Sequence, residues 1–247
     1  MKHFLLLTFF MAVPISAWAG IVPHVADYTI TLEKRHQDND LQNITGTMRY
    51  SLRHTCDAWV SDYTANMDFS MVRNRIESQN SLSFVELHDG KTFQYAVRHE
   101  ENGRLTKNSK GVVENKGDKM SVIYRDMSGE SKTHVIEAGI LFPTNHLKKI
   151  IEKAKSGTFF FTDSVFDGSD NEGYYRISSL TKPINDNEWR VSMAFFDAME
   201  KTAEPDYEMT FSLPESGILK DIVISYPNFT VRQSMTSVKL LERAACD

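Results

Sequence analysis

Apolar and polar residues alternate with a period of two through most of this chain. That pattern constrains the fold more than any other feature, because it suits a strand with one buried and one wet face. Tyr28, Ile30 and Leu32 share one parity. Ile44, Met48, Tyr50 and Leu52 share a face, with Arg49, Ser51 and Arg53 opposite. Trp59, Tyr63, Ala65, Met67 and Phe69 continue the alternation. Asp89-Gly90 separates Ser81–His88 from Lys91–Arg98, and Asp-Gly supplies positive φ, so a hairpin with a two-residue turn is predicted there. Lys116-Gly117-Asp118 is expected to turn the chain into Met120, Val122 and Tyr124. Later, Trp189–Phe195, Tyr207–Leu213 and Ile222–Tyr226 repeat the pattern, and Phe229 opens a last strand running toward Leu240 and Cys246. Roughly a dozen strands are predicted, which reads as a barrel or sandwich, mainly β and antiparallel.

One segment departs from the period. Leu147, Ile150, Ile151 and Ala154 recur at helical spacing, with Lys148, Lys149, Glu152, Lys153 and Lys155 opposite. An amphipathic helix is predicted over about residues 143–156. Pro143 would open it, Thr144 or Asn145 would cap it, and Gly157 would close it at C′. A lone amphipathic helix in a β chain covers an apolar opening more readily than it lies on a membrane, because its apolar face lacks aromatic anchors. Its apolar face is therefore expected to border a cleft on the concave side of the sheet.

The first residues read as a secretory signal. Lys2 and His3 precede the apolar run Phe4–Val13, which is too short to span a bilayer, and Ala17-Trp18-Ala19 offers the small residues of a cleavage site. Cleavage is expected between Ala19 and Gly20, leaving residues 20–247 as an exported, soluble chain long enough for one large β domain or two small ones. An uncleaved anchor is the weaker reading. Loss of Lys2 takes the net charge from −5 to −6, which argues against nucleic acid and anionic lipid surfaces as partners. In an exported chain the two cysteines, Cys56 and Cys246, are most simply one disulfide. A reactive lone thiol is the alternative, and neither cysteine has neighbours that would lower its pKa.

Recognisable catalytic chemistry is missing from the sequence. There is no Gly-x-Ser-x-Gly elbow and no paired-histidine zinc spacing. Seven histidines follow the cleavage point, dispersed from His24 to His146. His146, in the first helical turn, reads as structural or surface rather than catalytic. Asp167-Gly168-Ser169-Asp170-Asn171-Glu172-Gly173 could supply oxygens to a cation, but it is also ordinary turn chemistry, and the turn reading is favoured. Phe159-Phe160-Phe161 reads as strand core. No metal or cofactor is expected.

Several segments together resemble the EipB-like family of Gram-negative periplasmic proteins. They are Leu141-Phe142-Pro143-Thr144-Asn145-His146 before the helix and Val165-Phe166-Asp167-Gly168-Ser169-Asp170 after it. Val22-Pro23-His24 leading to Ala26-Asp27-Tyr28, Gly46-Thr47-Met48-Arg49-Tyr50 before Cys56, and the late Cys246 also fit. The resemblance implies a β-spiral: one long sheet curled into two half-barrels, a helix at the cleft, and a disulfide tying an early strand to the C-terminus. It implies a single domain over residues 20–247, a periplasmic location and a role in cell-envelope integrity, and it carries over no catalytic residue. The leading expectation is a non-enzymatic protein holding an envelope protein or peptide in its cleft. A periplasmic carrier of lipid or lipoprotein is second, and an envelope hydrolase third.

Overall fold

Each alternating segment extends into a strand that pairs antiparallel with its chain neighbour. The structure, a computed structural model, describes residues 20–36, 40–200 and 202–246. A first meander runs through β1 (His24–Arg35), β2 (Leu41–His54), β3 (Ala58–Met71), β4 (Arg75–Leu87), β5 (Thr92–Glu101), β6 (Arg104–Asn115), β7 (Lys119–Arg125) and β8 (Ser131–Glu137). One helix follows, α1 (Pro143–Lys155). A second meander runs through β9 (Phe160–Val165), β10 (Tyr175–Asn185), β11 (Glu188–Asp197), β12 (Tyr207–Pro214), β13 (Lys220–Ser225) and β14 (Phe229–Leu240). β14 then pairs with the free side of β1, so fourteen strands form one sheet with β8 and β9 at its edges. The sheet curls without closing. Across the gap, Leu141 makes a parallel bridge to Val165. Cys56 and Cys246 are bonded, with Cα atoms 5.4 Å apart, and tie the β2–β3 connection to the tail beyond β14.

The curl gives two apolar clusters. Strands β4–β8 surround the first, which contains Phe93, Tyr95, Val113, Met120 and Val122. Strands β1–β3 and β9–β14 surround the second, with α1 packed into it through Ile150, Ile151 and Ala154. Inward parity explains the selection: His24, Ala26, Tyr28 and Ile30 of β1 are all buried.

The structure differs from expectation in several places. The Asp89-Gly90 hairpin forms, but residues 88–91 make a four-residue connection. The Gly90 N–H donates to the Leu87 carbonyl at 3.0 Å, and the Asp89 carboxylate takes the Lys91 N–H at 2.8 Å, which widens the turn. Phe159 and Phe160 are exposed rather than core: Phe160 points outward at the start of β9 while Phe161 packs inward, and Phe159 precedes the strand. β10 was hidden from pattern reading. Its inward positions include Ser179 and Thr181, both fully buried, whereas Leu180 points outward.

The cap of α1 also lies elsewhere. Phe142 occupies the N-cap position and has no side-chain bond to give, so Thr144 and Asn145 sit inside the helix. Glu86, at the end of β4, replaces the local cap: its two carboxylate oxygens accept the Thr144 N–H at 2.7 Å and the Asn145 N–H at 2.9 Å. At the other end Gly157, with φ +75°, permits a Schellman closure. Its N–H donates to Ala154 at 3.2 Å and that of Thr158 to Lys153 at 2.9 Å.

Candidate functional site

Helix α1 does not fill the space it covers. Between its inner face and strands β1–β3 and β10–β14 lies a cavity of about 340 Å³. Its walls are mostly apolar, with Met48, Leu147, Ile150, Met193, Met209 and Phe211 among them. Met side chains give such a wall an adaptable shape. Of the four helix residues singled out by sequence, Leu147 and Ile150 line the cavity. Ile151 and Ala154 are buried but pack into the surrounding core instead. Pro143 and His146, from the first helical turn, join the lining.

Few polar groups interrupt these walls. The His24 Nδ1–H donates to the Val22 carbonyl at 2.8 Å, which leaves Nε2 as an acceptor. Burial lowers the pKa of this ring, favouring the neutral form. The Tyr28 hydroxyl donates to the Leu219 carbonyl at 2.8 Å. Asp167 accepts the Ser169 N–H at 2.8 Å, and burial raises its pKa against the pull of that bond. Gln233, on the inner face of β14, is 6% exposed and pairs across strands with Ile30 and Ile222. Sequence periodicity assigns neither His24 nor Gln233 to a site. The available signal was a polar residue on an otherwise apolar parity, between Val231 and Met235 for Gln233.

His146 is buried beside Asp163, with 3.8 Å between Nε2 and Oδ2, and neither of those atoms has a hydrogen-bond partner. The other Asp163 oxygen takes the Lys149 ammonium at 2.5 Å. Burial pushes the His146 pKa down to about 4, outweighing the attraction of Asp163. Burial thus favours the neutral imidazole.

The acidic loop after β9 is engaged in bracing the fold. Asp167 and Asp170 each accept a backbone N–H two residues onward. The Asn171 oxygen accepts from the Tyr95 and Ser109 hydroxyls, Glu172 from the Tyr124 hydroxyl, and the Ser169 carbonyl from Lys107. Gly168 allows the loop to lie on the Tyr95 ring, which a Cβ would meet at 2.9 Å. Among the described residues no cluster of three or more His, Cys, Asp or Glu could hold a metal ion. The disulfide lies away from the cavity lining, with both cysteines exposed. The proposed signal segment and its Ala19 lie outside the described residues, which begin at Gly20. No described helix is long and apolar enough to cross a membrane.

Comparison with known proteins agrees with this architecture. The chain is 24% identical over 244 residues to the cell envelope integrity protein EipB of Brucella abortus (strain 2308), covering 90% of this chain and 85% of that one. The crystal structure of a β-barrel-like protein of unknown function from Brucella abortus superposes with a TM-score of 0.82 at 22% identity, covering 91% of this chain and 100% of the other. The EipB-like family pattern runs from residue 16 to residue 242 of this chain. With the family pattern spanning both meanders and the helix between them, the chain belongs to the EipB-like family.

Proposed function

We propose that this protein supports envelope integrity by sheltering the acyl chain of an envelope lipid or lipoprotein in the cavity beneath α1. The observation carrying this reading is the mostly apolar cavity of about 340 Å³ inside the curl. A polypeptide partner is the weaker occupant. Its backbone brings an N–H and a C=O with nearly every residue, more than the side-chain donors and acceptors scattered over these mostly apolar walls can satisfy. An acyl chain has no such requirement. In this reading the role is non-enzymatic: the protein holds its ligand unchanged. It is performed in the periplasm by residues 20–247 as one unit, after removal of residues 1–19. The disulfide and the envelope role named for the Brucella relative support that location.

The test is to isolate the protein from the periplasm without detergent and extract it for lipid mass spectrometry. A stoichiometric acyl lipid is the expected result. Lipid-free protein that cross-links in cells to an envelope polypeptide through α1 would replace this reading with the partner one. N-terminal sequencing of the same sample should begin at Gly20.

A further inference from the structure

The cavity wall contains one group that an apolar container does not need. Gln233 lines the cavity, is 6% exposed, and its side chain has no hydrogen bond to another described residue, its backbone being paired with β1 and β13. Its neighbours across the strands are Ile30 and Ile222, so leucine would suit the position. The Gln233 side chain borders the cavity rather than the packed core, so a group held in the cavity can complete its hydrogen bonds. A Gln side chain has two N–H donors and one carbonyl acceptor to offer.

The remaining lining residues limit what that completing group can be. Neither Lys nor Arg lines the cavity. The ionisable groups that do are His24, His146, Asp167 and the tyrosines Tyr28, Tyr50, Tyr63 and Tyr175. Burial lowers the pKa of both histidines, favouring their neutral forms, and raises those of the tyrosines. Asp167 would repel an anion in its ionised form. A carboxylate or phosphate drawn inside would lose its hydration without gaining a cation.

We propose that the acyl chain enters as a neutral group up to and including its ester or amide carbonyl, and that the Gln233 carboxamide donates a hydrogen bond to that carbonyl. This rests on the acyl-chain reading above and names the part of the ligand that is recognised. The charged or bulky head stays outside, and a free fatty-acid anion is a poor ligand. Esters of glycerolipids and amides of N-acylated polypeptides share this chemistry.

The test uses the exported protein refolded from urea, with displacement of N-phenyl-1-naphthylamine as the readout at pH 7.5. Four ligands with the same chain length are compared: dodecane, methyl dodecanoate, N-methyldodecanamide and dodecanoate. The neutral ester or amide should bind roughly tenfold tighter than the anion. Gln233→Leu should weaken the carbonyl ligands by roughly threefold to tenfold and leave dodecane no weaker. The ratio of ester to dodecane affinity reads the hydrogen bond independently of any change in folding. A preference for ester over amide assigns a glycerolipid, and the reverse an N-acylated polypeptide. Dodecanoate binding as tightly as its ester, or Gln233→Leu weakening every chain equally, overturns the proposal while leaving an acyl-chain site. Failure of all four to bind overturns the acyl-chain reading itself.

Discussion

The two ends of the sheet enclose apolar space in different ways. At the β4–β8 end the space is filled with rings. Phe142, just before α1, stacks on Phe93 with centroids 4.9 Å apart, and Phe166, just after β9, meets Phe93 and Tyr95 edge-on. Both plugging residues are essentially inaccessible, at 1% and 0%. At the other end, α1 inserts Leu147 and Ile150 yet leaves a cavity of about 340 Å³ that no side chain fills. The same segment of chain, from Leu141 to Phe166, supplies both the plug and the partial cover. An apolar void forfeits dispersion contacts, so close packing is the default for a protein interior. One curled sheet that is packed at one end and hollow at the other points to use of the hollow end.

The largest expected effect concerns the covalent tie, which belongs to the hollow end. It joins the β2–β3 connection to the tail after β14 across a sequence separation of 190. In the chain-entropy model a loop of that length is worth at most about 5 kcal/mol. Cys56→Ser should lower the urea midpoint sharply, and reduction of the native protein should match it. Hydrogen exchange separates the ends: protection in β1–β3 and β14 should fall before that in β5–β7. Equal loss at both ends would mean that packed and hollow regions unfold as one unit.

Removing the plug is the next test. Phe142→Ala deletes a buried ring stacked on the fully buried Phe93 and should cost about 3–5 kcal/mol, read from urea unfolding. Met209→Ala trims a side chain that borders the cavity and is only partly buried, so it should cost about 2 kcal/mol or less. Similar costs would show that the two ends are packed alike.

The legibility of these features in sequence follows the same division. Strands with Phe, Val, Met and Ile on one parity were readable, as were the α1 stripe and its Gly157 stop. β10 was not, since Ser179 and Thr181 occupy its inward positions and reverse the apparent polarity. Glu86 was unreadable as a helix cap because it stands 58 residues from Thr144, and only the curl brings them together. The cavity was unreadable for a related reason. Periodicity tells which side chains face inward, whereas a void depends on how far apart the facing walls stand. The polar side chain at Gln233 was the trace that the cavity left in sequence.

Acid should weaken the cover selectively. His146 has its pKa lowered by burial to about 4, from an ordinary value of 6.5. The unfolded chain therefore binds a proton that the native imidazole refuses, and stability falls as pH drops from about 6.5 to about 4. Below that window both states are protonated and the loss levels off, at no more than about 3 kcal/mol. Glu86 works in the opposite sense, because burial raises its pKa. Comparison with His146→Phe, which cannot take up the proton, isolates the histidine. The difference in urea midpoint between wild type and variant should change across this interval and be flat above pH 7. A pH-independent difference would mean that His146 accepts its proton without leaving its site.

The smallest effect should have the opposite sign at the two ends. At the packed end the Ser109 hydroxyl is 3% exposed and donates to Asn171, which fastens the acidic loop to the sheet. Ser109→Ala removes a made bond and leaves its acceptor one partner fewer, for a loss of about 1 kcal/mol. At the hollow end Thr181 is 0% exposed, and its hydroxyl has no partner. It sits on β10, one of the strands against which α1 packs. Thr181→Val keeps the branched shape and removes only an unsatisfied oxygen, so it should gain about 1 kcal/mol, or roughly 2–4 °C in melting temperature. Side-chain packing alone would give the two substitutions the same sign. A fall in melting temperature for Thr181→Val would show that a water satisfies this hydroxyl, making the seat of α1 wetter than the apolar cavity beside it.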